Sequence, residues 1–274
     1  MPPVETVTSL QNPRVKRLVK LRRRRHRAGE GLVLLDEPRV IRRALDAGAS
    51  PRELYTCAPQ LAEDPEIARL AEELAAAGAE VVDLAPHVMA KAAYREDPAV
   101  LLALVAMPGT ALDALALPGD ALVLVLENVE KPGNLGAIVR TASGAGVHAV
   151  LACGDGADPW NPNALRASTG AVFSVPVAVA ETAEIMAFLR ERAIRLVAAD
   201  PKARDAYPDL DLTGPTAFLL GAEDRGLTAG MAASADLACR IPMNGAADSL
   251  NVSVSAAILV YEARRQRDAS RLTP

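Results

Sequence analysis

The sequence predicts an α/β protein of two domains, and three observations support this expectation. Short β-branched or leucine-rich runs alternate with longer, alanine-rich and charged stretches, as strands alternate with helices in a layered fold. The chain has 274 residues, a comfortable length for two domains. Pro108-Gly109 and Pro118-Gly119 interrupt the pattern around a short Ala/Leu segment. We expect a first domain over residues 1–107, a linker over 108–119 and a second domain over 120–274.

The first half of the chain predicts a compact α/β unit. A helix should begin near Pro38, because proline is favoured in a first helical turn, and end before Gly48. Strands are expected over residues 32–35, 53–57, 80–83 and 100–107, and helices over 38–47 and 64–77.

The second half begins with an apolar run over residues 121–126, which is typical of a parallel strand buried on both faces. A last helix is expected from Leu250 to Arg267, where Val254, Ile258 and Tyr261 share one apolar stripe with Ala257. That stripe can face the core or a second copy of the chain. Further strands are expected over residues 147–152, 195–199, 217–220 and 238–241.

Composition argues for a globular protein of a reducing compartment. Half of the residues are apolar and the net charge is −4. The three cysteines have no paired spacing, so neither a disulfide framework nor a zinc site is indicated, and the histidines show no metal-ligand pattern. The first residues lack a basic and apolar signal region, and no apolar run approaches the length of a membrane span. We expect a cytoplasmic protein without a metal and without a membrane partner.

Positive charge is concentrated near the N-terminus. Residues 14–27 hold nine of the thirty lysines and arginines and no acidic residue. Such a run is either a solvated helix face or a surface that contacts phosphates of a nucleic acid. The overall negative charge argues against a protein that coats nucleic acid with its whole surface.

Three segments carry polar residues where strands are expected to end. Segment 127–142 follows the first strand of the second half and contains Asn134 and Arg140. It lacks the glycine patterns of dinucleotide and triphosphate loops. Segment 218–228 breaks a strand at Gly221 and places Glu223 just beyond it. Ligands bind beyond the carboxyl ends of parallel strands, so these positions suit a functional site.

Segment 241–255 is a polar loop that leads into the last helix. Ser249 or Asn251 can cap this helix, but a cap explains only one of the two. Taken singly, each of the three segments also fits an ordinary helix cap or a strand-to-helix turn.

Together, the three segments resemble motifs one, two and three of the SpoU family of RNA 2'-O-ribose methyltransferases, within the knotted SPOUT superfamily. Segment 158–170 is also similar to the family's stretch between the first two motifs. The resemblance extends over residues 121–267. It implies a C-terminal domain whose sheet ends in a deep trefoil knot, with S-adenosylmethionine as the cofactor in that knot.

The resemblance also implies roles for individual residues. The polar cluster of the active site consists of Arg140, Asn134, Glu223, Asn251 and Ser249. The implied cofactor-binding residues come from the second and third motifs: Leu220, Gly221, Ala222, Ile241, Met243 and Leu250.

Arg140 is the central residue of this set, and two versions of its role remain open. The family assigns the proton-accepting role to arginine, although a guanidinium normally stays charged. In the second version Arg140 binds the ribose or a phosphate and stabilises the developing alkoxide, while the proton leaves to phosphate or water.

The N-terminal half is similar to the L30e-like substrate-binding domain often fused to this family, and segment 12–16 resembles its opening. Beside a methyltransferase domain, the basic run favours contact with RNA phosphates, which adds affinity without choosing the site. The expected RNA-binding residues are Arg14, Lys16, Arg22, Arg23, Arg24, Arg25, Arg27 and Arg166.

The expected function is transfer of a methyl group from S-adenosylmethionine to a ribose 2'-hydroxyl of structured RNA, with 23S ribosomal RNA favoured. Transfer RNA is the alternative substrate. A noncatalytic RNA-binding or ribosome-assembly protein would use the knot as a scaffold, and a small-molecule methyltransferase would leave the basic run unexplained. The resemblance implies a homodimer.

Overall fold

The computed structural model describes residues 6–94, 99–156 and 158–272. The predicted absence of a signal region concerns the first residues of the chain, and residues 1–5 lie outside this description. The chain forms two compact units. The first comprises Met1–Pro108 with Trp160–Ser174, and the second comprises Gly109–Pro159 with Val175–Pro274. Each unit has its own sheet.

The regular elements alternate as the sequence predicts. The strands are β1 (Thr6–Val7), β2 (Leu32–Leu35), β3 (Pro51–Thr56), β4 (Glu80–Leu84), β5 (Leu101–Ala106), β6 (Leu122–Glu127), β7 (Ala149–Cys153), β8 (Val177–Val179), β9 (Arg195–Ala199), β10 (Asp205–Ala206), β11 (Thr216–Leu220) and β12 (Leu237–Arg240). The helices are α1 (Pro13–Lys20), α2 (Arg24–Glu30), α3 (Pro38–Asp46), α4 (Ala58–Leu61), α5 (Pro65–Ala76), α6 (Pro86–Ala92), α7 (Pro132–Ala145), α8 (Pro162–Ala167), α9 (Thr182–Glu191), α10 (Ala229–Ser234) and α11 (Val252–Leu272).

The first unit is built on a mixed five-stranded sheet in the order β1-β4-β3-β5-β2. Its central strand β3 pairs parallel with β4 and antiparallel with β5. Its core joins Leu18 of α1, Tyr55 of β3 and Met89 of α6, all of which are fully buried. Burial of such side chains is the main stabilising contribution to a unit of this size.

The second unit is built on a seven-stranded parallel sheet in the order β10-β12-β9-β11-β6-β7-β8. All of its strand pairs are parallel. The central strands β6 and β11 are buried over their whole lengths, which explains their continuous apolar sequences. Loops that follow β6, β11 and β12 therefore leave the same edge of the sheet.

Segment Trp160–Ser174 differs from the domain prediction. The sequence places it in the C-terminal domain, but its contacts put it in the first unit. Trp160 lies 5.5 Å from Phe173 between ring centroids, and the Arg43 side chain donates to the carbonyl oxygen of Thr169 over 2.7 Å. Gly170 approaches the α3 backbone closely at Val40. These packing contacts assign the segment to the first unit, although its neighbours in the sequence belong to the second.

The last helix begins at Val252, two residues later than expected, and extends to Leu272. Val252, Ala256 and Leu259 form part of its buried face. Val254 and Tyr261, from the predicted apolar stripe, are instead 45% and 51% exposed. None of the helices in the described ranges is both long and apolar enough to cross a membrane.

Candidate active site

The loops after β6, β11 and β12 carry the residues that the sequence singled out. Asn134 lies in the first turn of α7, which opens directly after the β6 loop. Glu223 lies three residues beyond the end of β11. Asn251 immediately precedes α11, at the end of the loop after β12. All three belong to the second unit.

A chain of hydrogen bonds joins these three side chains. The Nδ2 of Asn134 donates to Oε1 of Glu223. The Oδ1 of Asn134 accepts from Nδ2 of Asn251 over 3.3 Å. Asn134 thus uses its amide donor and its amide acceptor at once. The structure brings together three of the five predicted polar residues.

Asn251 also settles which residue caps the last helix. Its Oδ1 accepts from the backbone N–H of Ser253 over 2.9 Å and from the Ser253 hydroxyl over 2.6 Å. This is the geometry of a helix N-cap. Ser249 is not the cap and instead lines a neighbouring cleft.

A buried carboxylate braces the loop that carries Glu223. Glu127, at the end of β6, is only 3% exposed. Its two carboxylate oxygens accept from the backbone N–H and the hydroxyl of Thr228, each over 2.8 Å. Both oxygens of this buried carboxyl group are therefore satisfied. Thr228 in turn caps α10, so the β6 and β11 loops are fixed to each other.

Gly221 is required by a tight turn after β11. The loop folds back so that Ala222 bridges Gly226, whose N–H donates to the Ala222 carbonyl over 2.8 Å. A Cβ on Gly221 would overlap the carbonyl group of Gly226. Any side chain at this position would force the backbone apart, so the position of Glu223 depends on this glycine.

A cleft that is open to solvent lies beside the loop after β12. Four predicted residues line it, namely Ile241, Met243, Ser249 and Leu250. Its further lining residues are Ala199, Asp200, Pro201, Cys239, Asp248 and Ser255. Leu250 lines this cleft and is followed by Asn251 of the hydrogen-bonded chain, so one loop shapes both features.

Sequence reasoning missed the contribution of β9 to this cleft. Ala199 ends β9, and Asp200 and Pro201 follow it. The strand itself was predicted, and its carboxyl end adjoins those of β11 and β12 in the sheet. The rule that ligands bind at such ends would have pointed to Asp200.

The thiol in the cleft is not suited to nucleophilic chemistry. Cys239 is buried, and burial raises the pKa of its thiol to about 11. A thiol with such a pKa stays protonated near neutral pH, whereas the thiolate is the nucleophile.

The predicted cofactor residues of the second motif lie elsewhere. Leu220, Gly221 and Ala222 are not among the residues that line the cleft. Leu220 is buried in β11, while Gly221 and Ala222 form the tight turn. In this conformation they shape the loop that carries Glu223.

Arg140 stands apart from the hydrogen-bonded chain. It lies on α7, six residues after Asn134, and its side chain is exposed. Within the described ranges it forms neither a hydrogen bond nor an ion pair. All of its N–H donors are therefore available to an anionic or hydroxylic substrate.

Some basic residues of the run in the first unit are exposed, and others are paired with acidic side chains. Lys16, Arg23, Arg24 and Arg25 are exposed. Arg14 is paired with Glu53 over 3.3 Å and with Glu80 over 2.6 Å, so acids already balance its charge. The exposed residues, rather than the whole run, can meet RNA phosphates.

The prediction that Arg27 contacts RNA is wrong for this structure. Arg27 is 2% exposed, and its Nη1 donates to the carbonyl oxygens of Leu21 and Arg22 over 2.9 and 2.7 Å. It stabilises the turn between α1 and α2 from inside. A charge run gives no sign of which member faces inward, because only packing decides this.

The described ranges contain no cluster of three histidine, cysteine or acidic residues suited to a metal ion.

Comparison with known proteins connects this geometry to a family. The sequence profile of the SpoU rRNA Methylase family matches residues 121–261, just over half of the chain. The profile of the MRM3-like substrate binding domain matches residues 12–103. The first profile spans the three loops and the cleft described above.

Related proteins match over nearly the whole length. A 23S rRNA (uridine(2479)-2'-O)-methyltransferase of Streptomyces viridochromogenes is 34% identical, over 91% of this chain and 88% of the relative. A crystal structure of an RNA 2'-O ribose methyltransferase is 40% identical, covers 96% of this chain and 99% of its own, and has a TM-score of 0.83. An AdoMet-bound rRNA methyltransferase from Sinorhizobium meliloti is 30% identical, with a TM-score of 0.86 and coverage of 96% and 98%.

Proposed function

This chain belongs to the SpoU rRNA methylase family, and we propose that it transfers a methyl group from S-adenosylmethionine to a ribose 2'-hydroxyl of 23S ribosomal RNA. The chemistry is that of the family, and the ribosomal substrate follows the relatives named above. The observation that carries the proposal is the chain of hydrogen bonds from Glu223 through Asn134 to Asn251, beside the cleft.

The cleft suits S-adenosylmethionine in its chemistry. Its apolar side chains, including Ile241, Met243 and Leu250, are of the chemical kind that contacts a purine. The carboxylates of Asp200 and Asp248 complement the positive charges of the ammonium and sulfonium groups. Bound there, the cofactor supplies an electrophilic methyl carbon. Ser249 offers a hydroxyl to its polar groups.

The hydrogen-bonded chain positions the reacting loops. Asn134 holds Glu223 of the β11 loop and Asn251 of the α11 cap in one arrangement. Positioning supplies a large part of the rate in a displacement of this kind, which needs the attacking oxygen in line with the methyl carbon. These three residues therefore act on the geometry of the site.

Arg140 is the residue that acts on the ribose. Its guanidinium is exposed and makes no bond to described residues, so it can meet a phosphate or a developing alkoxide. Because a guanidinium keeps its charge, we assign it electrostatic stabilisation, with the 2'-hydroxyl proton leaving to phosphate or water.

The first unit supplies the RNA-binding surface in this proposal. The exposed basic residues Lys16, Arg23, Arg24 and Arg25 give affinity for the RNA backbone. Recognition of the site then depends on RNA shape and an unpaired nucleotide. Action on a ribosomal substrate would require a cytoplasmic protein, and this localisation stays a prediction. The trefoil knot of the second unit also stays a prediction.

A homodimer is part of the proposal. Val254 and Tyr261 lie seven residues apart on α11 and are 45% and 51% exposed, with Ala257 and Ile258 half-buried between them. Packing of this stripe against another chain would remove its apolar surface from water. We propose a second copy of the chain as its partner.

Transfer of labelled methyl from S-adenosylmethionine to unmodified ribosomal and transfer RNA tests the proposal. We expect incorporation into 23S ribosomal RNA in the presence of the wild-type protein. Incorporation into transfer RNA alone would show that transfer RNA, not 23S ribosomal RNA, is the substrate. Protein that binds the cofactor but modifies neither RNA would support a noncatalytic scaffold.

A further inference from the structure

Tyr94 lies at the centre of a small cluster in the first unit that the methyl-transfer site does not use. The cluster consists of Arg22, Tyr94, Asn163 and Arg166, and we call it the Tyr94 cluster. Arg166 Cζ lies 4.9 Å from the centroid of the Tyr94 ring, and Arg22 Cζ lies 5.8 Å from it. Both distances are within the range of cation–π contacts.

The two arginines differ in how their donors are used. Arg22 donates through Nη2 to the carbonyl oxygens of Lys91 and Ala93, at the end of α6. Since Ala93 directly precedes Tyr94 and Lys91 lies three residues before it, Arg22 fixes the backbone that carries the ring. The N–H of Tyr94 donates to Oδ2 of Asp36 over 3.0 Å and fixes it further.

Arg166 is oriented by hydrogen bonds. Its Nη2 donates to Oδ1 of Asn163 over 2.8 Å, and Nδ2 of Asn163 donates to Oη of Tyr94 over 3.4 Å. Arg166 is half-buried and Asn163 is exposed. Among the described residues Arg166 has no acidic partner, although Asp36 and Glu37 share a small pocket with it. Arg14, Arg17 and Arg42 of the same unit are each paired with a glutamate.

A planar guanidinium held against an aromatic ring, with N–H groups left over, is suited to an unpaired nucleotide. Unpaired bases stack on aromatic rings and on guanidinium planes, and phosphates accept from the guanidinium edge. The exposed Asn163 amide adds a hydrogen-bonding group beside them.

We propose that the Tyr94 cluster binds one unpaired nucleotide of the RNA, with its base stacked on the Arg166 and Tyr94 pair and its phosphate on Arg166. The proposal rests on the proposed action on structured RNA and names the part of the RNA that the first unit holds. Arg166 and Asn163 come from the segment between β7 and β8, so a stretch of the family's methylase region contributes to substrate binding.

Binding of the full-length protein to a labelled single-stranded RNA decamer and to a duplex of the same sequence tests this. We expect wild type to prefer the single strand. Arg166→Ala and Tyr94→Leu should weaken single-strand binding roughly tenfold and duplex binding much less. Arg166→Ala should also reduce the magnitude of the slope of log K against log salt by the contribution of about one phosphate contact. Arg166→Lys should keep that slope but not the affinity, because an ammonium has no plane to stack.

Arg42→Ala is the matched control, since it removes an arginine of the same unit that is already paired with Glu73. It should bind both RNAs as wild type does. Thermal unfolding establishes that each variant is folded. Tyr94→Phe keeps the ring and loses only the contact with Asn163, so it should bind the single strand nearly as wild type does. Equal effects of Arg166→Ala and Arg42→Ala, no single-strand preference in wild type, or full binding by Arg166→Lys would overturn the proposal.

Methyl transfer separates this inference from the proposed function. With 23S ribosomal RNA, Arg166→Ala should raise KM about tenfold while kcat at saturating RNA stays unchanged. If wild type transfers methyl groups and the variant has an unchanged KM, the role of the Tyr94 cluster is contradicted and the proposed function is retained. If the variant loses RNA binding but wild type transfers no methyl group, the RNA-binding role of the cluster is retained and the proposed function is contradicted.

Discussion

Asn251 donates a hydrogen bond to Oδ1 of Asn134 over 3.3 Å, although 117 residues separate the two in the chain. The same Asn251 caps α11, and the residue before it lines the cleft. Asn134 is in turn bonded to Glu223. Three loops from separate strands therefore meet in one polar chain, and this juncture is where we expect the site to be most sensitive to change.

Exchanging the donor and acceptor between Asn134 and Glu223 tests this chain. Asn134→Asp cannot donate to Glu223 and places two carboxylates together, so we expect methyl transfer to fall about 100-fold through lost positioning. Glu223→Gln should lose less, since its amide oxygen still accepts. The double variant should recover activity over Asn134→Asp, because the introduced glutamine amide then donates to the introduced carboxylate.

Single-turnover methyl transfer by the four proteins, wild type included, measures this. Cofactor binding by each variant is the control and should change little. If the double variant is no better than the product of the single losses, the two side chains do not act through their hydrogen bond.

Gly221→Ala should disrupt the loop after β11. The added Cβ would overlap the carbonyl group of Gly226, and the strain should cost about 1–3 kcal/mol in the free energy of unfolding and abolish most methyl transfer. Gly230→Ala is the control, because nothing lies within 4 Å of its Cβ position. Chemical denaturation monitors both. Equal stability of the two variants would show that the loop can open without cost.

Arg140→Ala should lower kcat by about 100-fold to 1000-fold, the usual loss when a stabilising donor is removed. Arg140→Lys keeps the charge and should retain more activity than Arg140→Ala. Arg190→Ala, which removes an exposed arginine paired with Asp236, is the control. Steady-state kinetics with saturating RNA and cofactor provide the measurement. A folded Arg140→Ala variant with full activity would remove Arg140 from the mechanism.

The ionisation of Glu53 should make the free energy of unfolding of the first unit depend on pH. Burial opposes its ionisation, but hydrogen bonds from Tyr55 and Arg17 outweigh burial and lower the pKa of its carboxyl. A lowered pKa stabilises the fold above the ordinary carboxyl range, and this stability is lost as pH falls through the folded pKa. Glu53→Gln should therefore cost about 1–3 kcal/mol at pH 7 and progressively less in acid.

Urea unfolding of wild type and Glu53→Gln between neutral pH and pH 3 measures the difference. Glu73→Gln is the control: its pairing with Arg42 also lowers the Glu73 pKa, but the pair is exposed and should contribute little. A difference between Glu53→Gln and wild type that does not shrink in acid would contradict the assignment.

Tyr261→Glu should prevent self-association through the exposed stripe of α11. A carboxylate there would be buried against a second copy of the chain, which is unfavourable without a partner. Leu10→Glu changes another exposed apolar residue, 43% exposed in the first unit, and is the control. Sedimentation velocity should give a dimer for wild type and Leu10→Glu and a monomer for Tyr261→Glu. A monomeric wild type would show that the stripe is not a dimer interface.

The sequence predicted those parts of the fold whose signal is local. The apolar runs of β6, β9 and β11 identify buried parallel strands, since both of their faces need apolar residues. Asn134, Glu223 and Asn251 are predicted as site residues because they lie in loops after strands and match family motifs. Their mutual hydrogen bonds confirm that the three loops converge.

Features set by long-range packing could not be predicted in this way. Arg27 belongs to a run of arginines, yet it alone of that run is buried. Arg166 adjoins residues of the methylase motifs in sequence, but it packs against Tyr94, 72 residues earlier in the chain. Neither outcome leaves a local pattern, because each depends on which distant element covers the side chain.

The nature of the methylated product tests the central claim most directly. Labelled methyl is transferred to 23S ribosomal RNA, and the RNA is then hydrolysed with alkali, which needs a free 2'-hydroxyl beside each cleaved phosphate. The account predicts that the label is recovered in alkali-stable dinucleotides. Label in single nucleotides would mean methylation of a base and would contradict it, as would an absence of label with protein that binds S-adenosylmethionine.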